Sequence, residues 1–222
     1  MIEQLEHLIP NFSFEEARSI LLKGEKGSDK TTFIKTLIND LLNRGVTCMF
    51  IFTETKPEEL IISVEREFKW DWKRYINESR LYIINGCVYS IDAEIDSRNL
   101  NRISYFFEKI PDSVDTLFFD SLTNILLEND LRSVINFIQK QEEKLNSKKI
   151  TSFFSVETGI FDDKTYNGLA YCFQNIMEFK IKEENDNLKK YFRVFNDITH
   201  GFDSQWYETD IHPTEGLKLK IQ

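Results

Sequence analysis

The chain alternates short apolar runs with longer stretches whose apolar residues recur at helical spacing, so strands and helices take turns along it. Ser19 to Lys23 is an apolar run that stops at Gly24. A polar loop follows, and Thr32 to Leu42 carries a helix pattern closed by Gly45. Cys48 to Phe52 is apolar at every position, the form of a strand covered on both faces. Lys56-Pro57-Glu58-Glu59 starts another helix, with proline at a permitted first-turn position and acids at the positive end of the dipole. That helix pattern runs to about Phe68.

Leu81 to Ile84, Thr116 to Phe119 and Ile150 to Val156 are further predicted strands, with helices near Arg98 to Lys109 and Leu131 to Leu145 between them. Such alternation requires right-handed crossovers and a mainly parallel sheet, which makes the fold class α/β, a three-layer α/β/α sandwich. After Ala170 the pattern changes. Cys172 to Ile181 and Lys190 to Phe195 read as strands joined by the polar turn Glu183 to Asn187, a terminal β-hairpin extended by Leu217 to Ile221. With no low-complexity linker or internal repeat, residues 1–222 read as one domain, its core at about 19–160 and its hairpin region at about 170–222.

Composition narrows the class. Hydrophobic residues make up 41% and charged residues 29%, the balance of a folded globular chain. The 19 phenylalanines are expected to fill the core. A formal net charge of −9 repels phosphate backbones and anionic lipid, so nonspecific nucleic-acid or membrane binding is disfavoured. The acidic opening Met-Ile-Glu-Gln-Leu-Glu and the lack of a long apolar run point to a cytoplasmic protein. Cys48, Cys87 and Cys172 are far apart and read as reduced thiols, and His7, His200 and His212 have no ligand spacing. Trp206-Tyr207 reads as a hydrophobic cluster or a partner surface.

Gly24-Glu25-Lys26-Gly27-Ser28-Asp29-Lys30-Thr31 matches the phosphate-loop pattern except that Asp29 stands where the second glycine belongs. Such a loop turns backbone N–H groups towards phosphates at a helix N-terminus, with a lysine for the β and γ oxygens and a hydroxyl for magnesium. Gly24, Gly27, Ser28, Asp29, Lys30, Thr31 and Thr32 are therefore the predicted ATP-binding residues. The bland alternative is a polar strand-to-helix turn whose lysine is solvated. Aspartate tolerates the positive φ that its position demands, but its carboxylate would stand close to bound phosphates. Two unit charges about 5 Å apart at an effective dielectric near 20 repel by roughly 3 kcal/mol. A micromolar site would become roughly submillimolar unless the carboxylate faced solvent.

Val114 to Asp120 is an apolar strand ending in an acid, and Asp120 with Thr31 is the predicted magnesium pair. Glu54, just beyond the second strand, is weighed as the residue that polarises a water for in-line attack against a solvated loop acid. Ser155 and Glu157, at the end of the fifth strand, share that edge and are weighed as γ-phosphate sensors against ordinary loop residues.

With these pieces placed, the sequence resembles the KaiC-like branch of the RecA superfamily of P-loop ATPases across nearly its whole length. The resemblance is carried by Gly24 to Thr32, by Phe52-Thr53-Glu54-Thr55-Lys56-Pro57-Glu58-Glu59-Leu60, by Phe119-Asp120-Ser121-Leu122-Thr123 and by Tyr191-Phe192-Arg193-Val194. It implies a RecA-like fold, ATP with magnesium at this edge, and a protein partner or a homo-oligomeric ring. The chain departs from the family in three places. The paired glutamates after the second strand become Glu54-Thr55, the Lys-x-Arg after the hairpin strand becomes Asn196 and Ile198, and Pro10-Asn11-Phe12-Ser13-Phe14 replaces a glycine-rich opening. A cation of the missing kind can be worth several powers of ten in phosphoryl-transfer rate. The expectation is an ATP-binding regulatory protein with slow or absent hydrolysis. A working ATPase with a partner-supplied finger and an interaction module with a vestigial loop stay open, and a role on single-stranded DNA is disfavoured by charge.

Overall fold

The computed structural model describes residues 1–8, 17–86, 99–197 and 205–220, apart from the side chains of His7, Leu8, Asn196 and Asp197. Cys87, His200, Ile198, the Pro10 to Phe14 stretch and Ile221 lie outside the described residues, as does the Asn196 side chain. The elements in chain order are α1 (Ile2–Leu8), β1 (Ser19–Gly24), α2 (Lys30–Asn43), β2 (Cys48–Phe52), α3 (Pro57–Phe68), α4 (Trp72–Asn77), β3 (Leu81–Asn85), α5 (Leu100–Phe107) and β4 (Thr116–Asp120). There follow α6 (Thr123–Glu128), α7 (Leu131–Ser147), β5 (Thr151–Glu157), α8 (Asp163–Ala170), β6 (Asn175–Glu184), β7 (Asn187–Asp197), β8 (Tyr207–His212) and β9 (Gly216–Leu219).

One nine-stranded sheet in the order β3-β2-β4-β5-β1-β6-β7-β8-β9 organises the chain. From β3 to β6 every pairing is parallel, and from β6 to β9 every pairing is antiparallel. The central strands read as unbroken apolar runs because alternate side chains feed two separate cores. Leu22, Phe50, Phe118 and Phe153 pack towards α1 to α4 and β9. Leu21, Ile51, Phe119 and Phe154 pack towards α5 to α8. Stacked rings link neighbouring strands on both faces, Phe118 with Phe153 at 4.8 Å between centroids and Phe119 with Phe154 at 5.7 Å. The three-layer α/β/α sandwich with a mainly parallel sheet and a β-hairpin extension is thus observed.

Element boundaries moved where local hydrogen bonds compete with apolar pattern. β6 begins at Asn175 rather than Cys172, because Cys172 and Phe173 close α8 by donating to Leu169 and Ala170 carbonyls. The β6–β7 turn is tighter than the predicted one. Asn185 and Asp186 alone form it, both at positive φ, as a two-residue hairpin turn with right-handed strand twist demands. Cys48 and Cys172 are free, and burial, the larger cause, raises both thiol pKa values, which fits inert thiols. Among the described residues no helix is long and apolar enough to cross a membrane.

Candidate functional site

β1 delivers the loop and α2 receives it. Gly24 closes β1 against β6, where an added Cβ would fall 2.7 Å from the Phe179 Cβ and 2.8 Å from its carbonyl oxygen. The loop then turns on its own atoms. The Ser28 hydroxyl and amide both donate to the Glu25 carbonyl, at 2.7 and 3.2 Å, and Gly27 takes φ of 81°. Asp29 takes φ 70° and ψ 16°, the left-handed conformation expected of the glycine it replaces. Phe33 N–H makes the first helical bond, to the Asp29 carbonyl at 2.8 Å. The amides of Asp29, Lys30, Thr31 and Thr32 therefore precede the ladder, where a helix leaves its N–H groups without intrahelical partners.

Those residues border a cavity of about 300 Å³, with Lys26 through Thr32 on one wall and Glu54, Asp120, Ser121 and Glu157 on the other. Lys30 is buried at its floor and donates to the Gly24 and Glu25 carbonyls at 2.6 and 3.0 Å. Burial lowers its pKa, while Asp120, Glu157, Glu54 and Glu25 act in the opposite direction. Asp29 departs from the sequence expectation in one respect. Its carboxylate neither caps α2 nor faces open solvent; it accepts from Lys190 Nζ on β7 at 2.7 Å.

Across the cavity, Asp120 ends β4 and accepts from the Thr31 hydroxyl at 2.9 Å and from the Ser155 hydroxyl on its other oxygen. Ser155 is fully buried behind Asp120 and is not among the cavity-lining residues, so it supports the carboxylate instead of sensing phosphate. Glu157 does line the cavity, its amide fixed on the Thr123 hydroxyl at 3.0 Å. Glu54 stands exposed at the mouth. The walls around it strip part of its hydration, and with Asp120 and Glu157 close by its pKa is raised.

The donor set fits a magnesium–phosphate pair. A hydroxyl and a carboxylate in contact offer hard oxygens, and magnesium usually takes only one or two carboxylates beside substrate phosphates and water. Among the described residues no group of three or more His, Cys, Asp or Glu side chains could hold a metal alone. The lining carries four acids, Asp29, Glu54, Asp120 and Glu157, against the cations Lys26 and Lys30. That surplus suits an anion that arrives with a divalent cation better than a bare one.

A family model described as "ATPase: KaiC" matches residues 1–221 of the chain. The chain belongs to the KaiC ATPase family. Curated relatives include the circadian clock oscillator protein KaiC of Synechococcus elongatus, 27% identical over 124 residues, which is 53% of this chain and 23% of that protein. The circadian clock protein KaiC2 of Synechocystis is 23% identical over 158 residues, 71% of this chain and 27% of that protein. The matched stretches thus span about a quarter of the length of these KaiC relatives. Among solved structures, a KaiC-like protein from the archaeon Pyrococcus horikoshii matches with a TM-score of 0.76 at 22% identity, over 97% of this chain and 94% of that one. This last likeness is one of fold. Membership of the KaiC family agrees with the resemblance carried by the four sequence stretches.

Sequence reasoning therefore named Gly24, Gly27 to Thr32, Glu54 and Asp120, and weighed Glu157 against an ordinary loop residue; the structure brings them to one edge. It missed Ser121 on the cavity wall and Thr53, whose hydroxyl accepts from the Ser121 amide at 3.0 Å. Both sit inside the quoted family stretches, where their hydroxyls were a usable signal. Lys190, 161 residues from Asp29, gave none.

Proposed function

We propose that this KaiC-family domain binds ATP with magnesium and works as a nucleotide-dependent conformational switch, with slow or absent hydrolysis, read by a protein partner or a second copy of the chain. The observation that carries this reading is the loop itself. Four amides stand ahead of the α2 ladder beside a cavity of about 300 Å³, and the intruding Asp29 carboxylate is paired with a lysine. In this reading the amides of Asp29 to Thr32 and the Lys30 ammonium hold the phosphates, and Thr31 and Asp120 hold the magnesium. Bound magnesium supplies neutralisation of phosphate charge. Glu54 holds a water by hydrogen bond, and its raised pKa makes it a better proton acceptor than an ordinary surface carboxylate.

Slow turnover rests on the departures from the family pattern, Thr55 in place of a second glutamate and Asn196 and Ile198 in place of a cationic pair. Neither asparagine nor isoleucine can neutralise charge on a transferring phosphoryl group. The acidic net charge of −9 argues for protein over nucleic acid as the partner. Steady-state phosphate release tests the rate. The expected turnover is about 10⁻³ s⁻¹ or below, the range of P-loop proteins without a cationic finger. A rate near about 1 s⁻¹ that Glu54→Gln abolishes would instead make the domain a working ATPase.

A further inference from the structure

Aspartate at position 29 raises a question that the glycine of ordinary phosphate loops does not: where its charge goes when phosphates arrive. The hairpin supplies the answer through one rung. Ile181 on β6 and Lys190 on β7 are cross-strand partners. The Ile181 amide donates to Glu25 Oε1 at 2.7 Å, and Lys190 Nζ donates to Asp29 Oδ1 at 2.7 Å. A single rung of the sheet thus engages both carboxylates that the loop carries.

The Asp29 side chain is only 11% exposed and makes no capping bond to α2, so the lysine is the partner it turns to. The neighbouring Lys189 is drawn off towards Glu184 and Glu208, at 3.5 and 3.3 Å. Asp29 therefore divides its roles. Its left-handed backbone serves the cradle, and its side chain is held against the hairpin.

Building on the nucleotide-binding reading above, we infer that Lys190 is a positioning residue for the nucleotide: its ammonium holds and neutralises the Asp29 carboxylate, so that a loop lacking the second glycine still accepts phosphates. Lys190 acts through Asp29 and is not among the residues that line the cavity. Phosphate affinity and hairpin geometry are thereby linked, since any motion that pulls β7 from α2 returns an uncompensated carboxylate to the cradle.

Titration calorimetry of Mg-ATP against the intact chain tests this with a double-mutant cycle. Lys190→Ala should weaken binding about tenfold or more, through loss of the charge pairing. In an Asp29→Gly or Asp29→Asn background the same change should alter affinity by less than about twofold, because the carboxylate it offsets is gone. Lys190→Arg should retain most of the affinity, and thermal midpoints of all variants report whether each is folded. An equal loss in both backgrounds would mean that the lysine meets the nucleotide or merely supports the fold, and overturns the role. So does a Lys190→Ala protein that binds as well as the parent. If no variant binds Mg-ATP even with glycine at 29, the nucleotide reading falls together with this role.

Discussion

Strand β5 carries two buried serines, each donating to a carboxylate, and the two pairs have different surroundings. Ser155, near the carboxyl end, bonds Asp120 beside an open cavity, with Thr31 donating to the other oxygen and Lys30 within electrostatic reach. Ser152, near the amino end and on the opposite face, bonds Glu142 of α7 at 2.7 Å. The second oxygen of Glu142 is buried with no hydrogen-bond partner. Burial pushes the Glu142 pKa from the usual 4.5 to about 7, against the hydroxyl bond from Ser152. The comparison separates a carboxylate that borders an open cavity from one enclosed between α7 and the sheet. The first has two donors, a nearby cation and a place on the cavity wall; the second is enclosed with one oxygen unanswered, and burial raises its pKa.

The comparison breaks if the two acids respond alike to loss of charge. Asp120→Asn should lower Mg-ATP affinity about hundredfold, read by calorimetry with and without magnesium, because the amide cannot hold a cation or its water as a carboxylate does. Glu142→Gln should leave that affinity unchanged and alter stability instead. An acid whose folded pKa is raised stabilises the fold fully below its unfolded value. That contribution is lost as pH rises from about 4.5 through about 7. Glutamine removes the loss, so denaturant titrations should give the variant an advantage over the parent about 2 kcal/mol larger at pH 8 than at pH 5. A pH-independent difference would mean that Glu142 is ionised in the folded protein.

The strands of the parallel half were legible because each is covered on both faces, so runs such as Cys48 to Phe52 are apolar throughout. The phosphate loop, Asp120 and Glu54 were legible because their chemistry fixes residue type at short spacing next to those strands. The elements that escaped are those whose form tertiary packing decides. α6 has six residues and stands only because Ile125 and Leu126 join the core. β8 has no apolar run, pairing along β9 while most of its side chains stay accessible. The basic and aromatic side chains near Trp206 form a stack that no spacing announces, with Lys180 at 3.6 Å and Arg193 at 4.3 Å from its ring. The Lys190–Asp29 pair belongs to the same class, since only the β1–β6 and β6–β7 pairings bring the hairpin to the loop. Aspartate at 29 could be read as tolerable in backbone; where its charge would be answered could not.

The measurement that tests the account most directly is a titration of Mg-ATP into the parent chain and into Lys30→Ala. With the amides open and the Asp29 carboxylate paired, the parent should give a saturable one-to-one isotherm with Kd in the range of about 1 to 100 μM. The alanine variant should give none in that range. A parent that takes up no ATP at millimolar concentration, or a variant that binds as the parent does, would contradict the anion cradle on which the nucleotide reading stands.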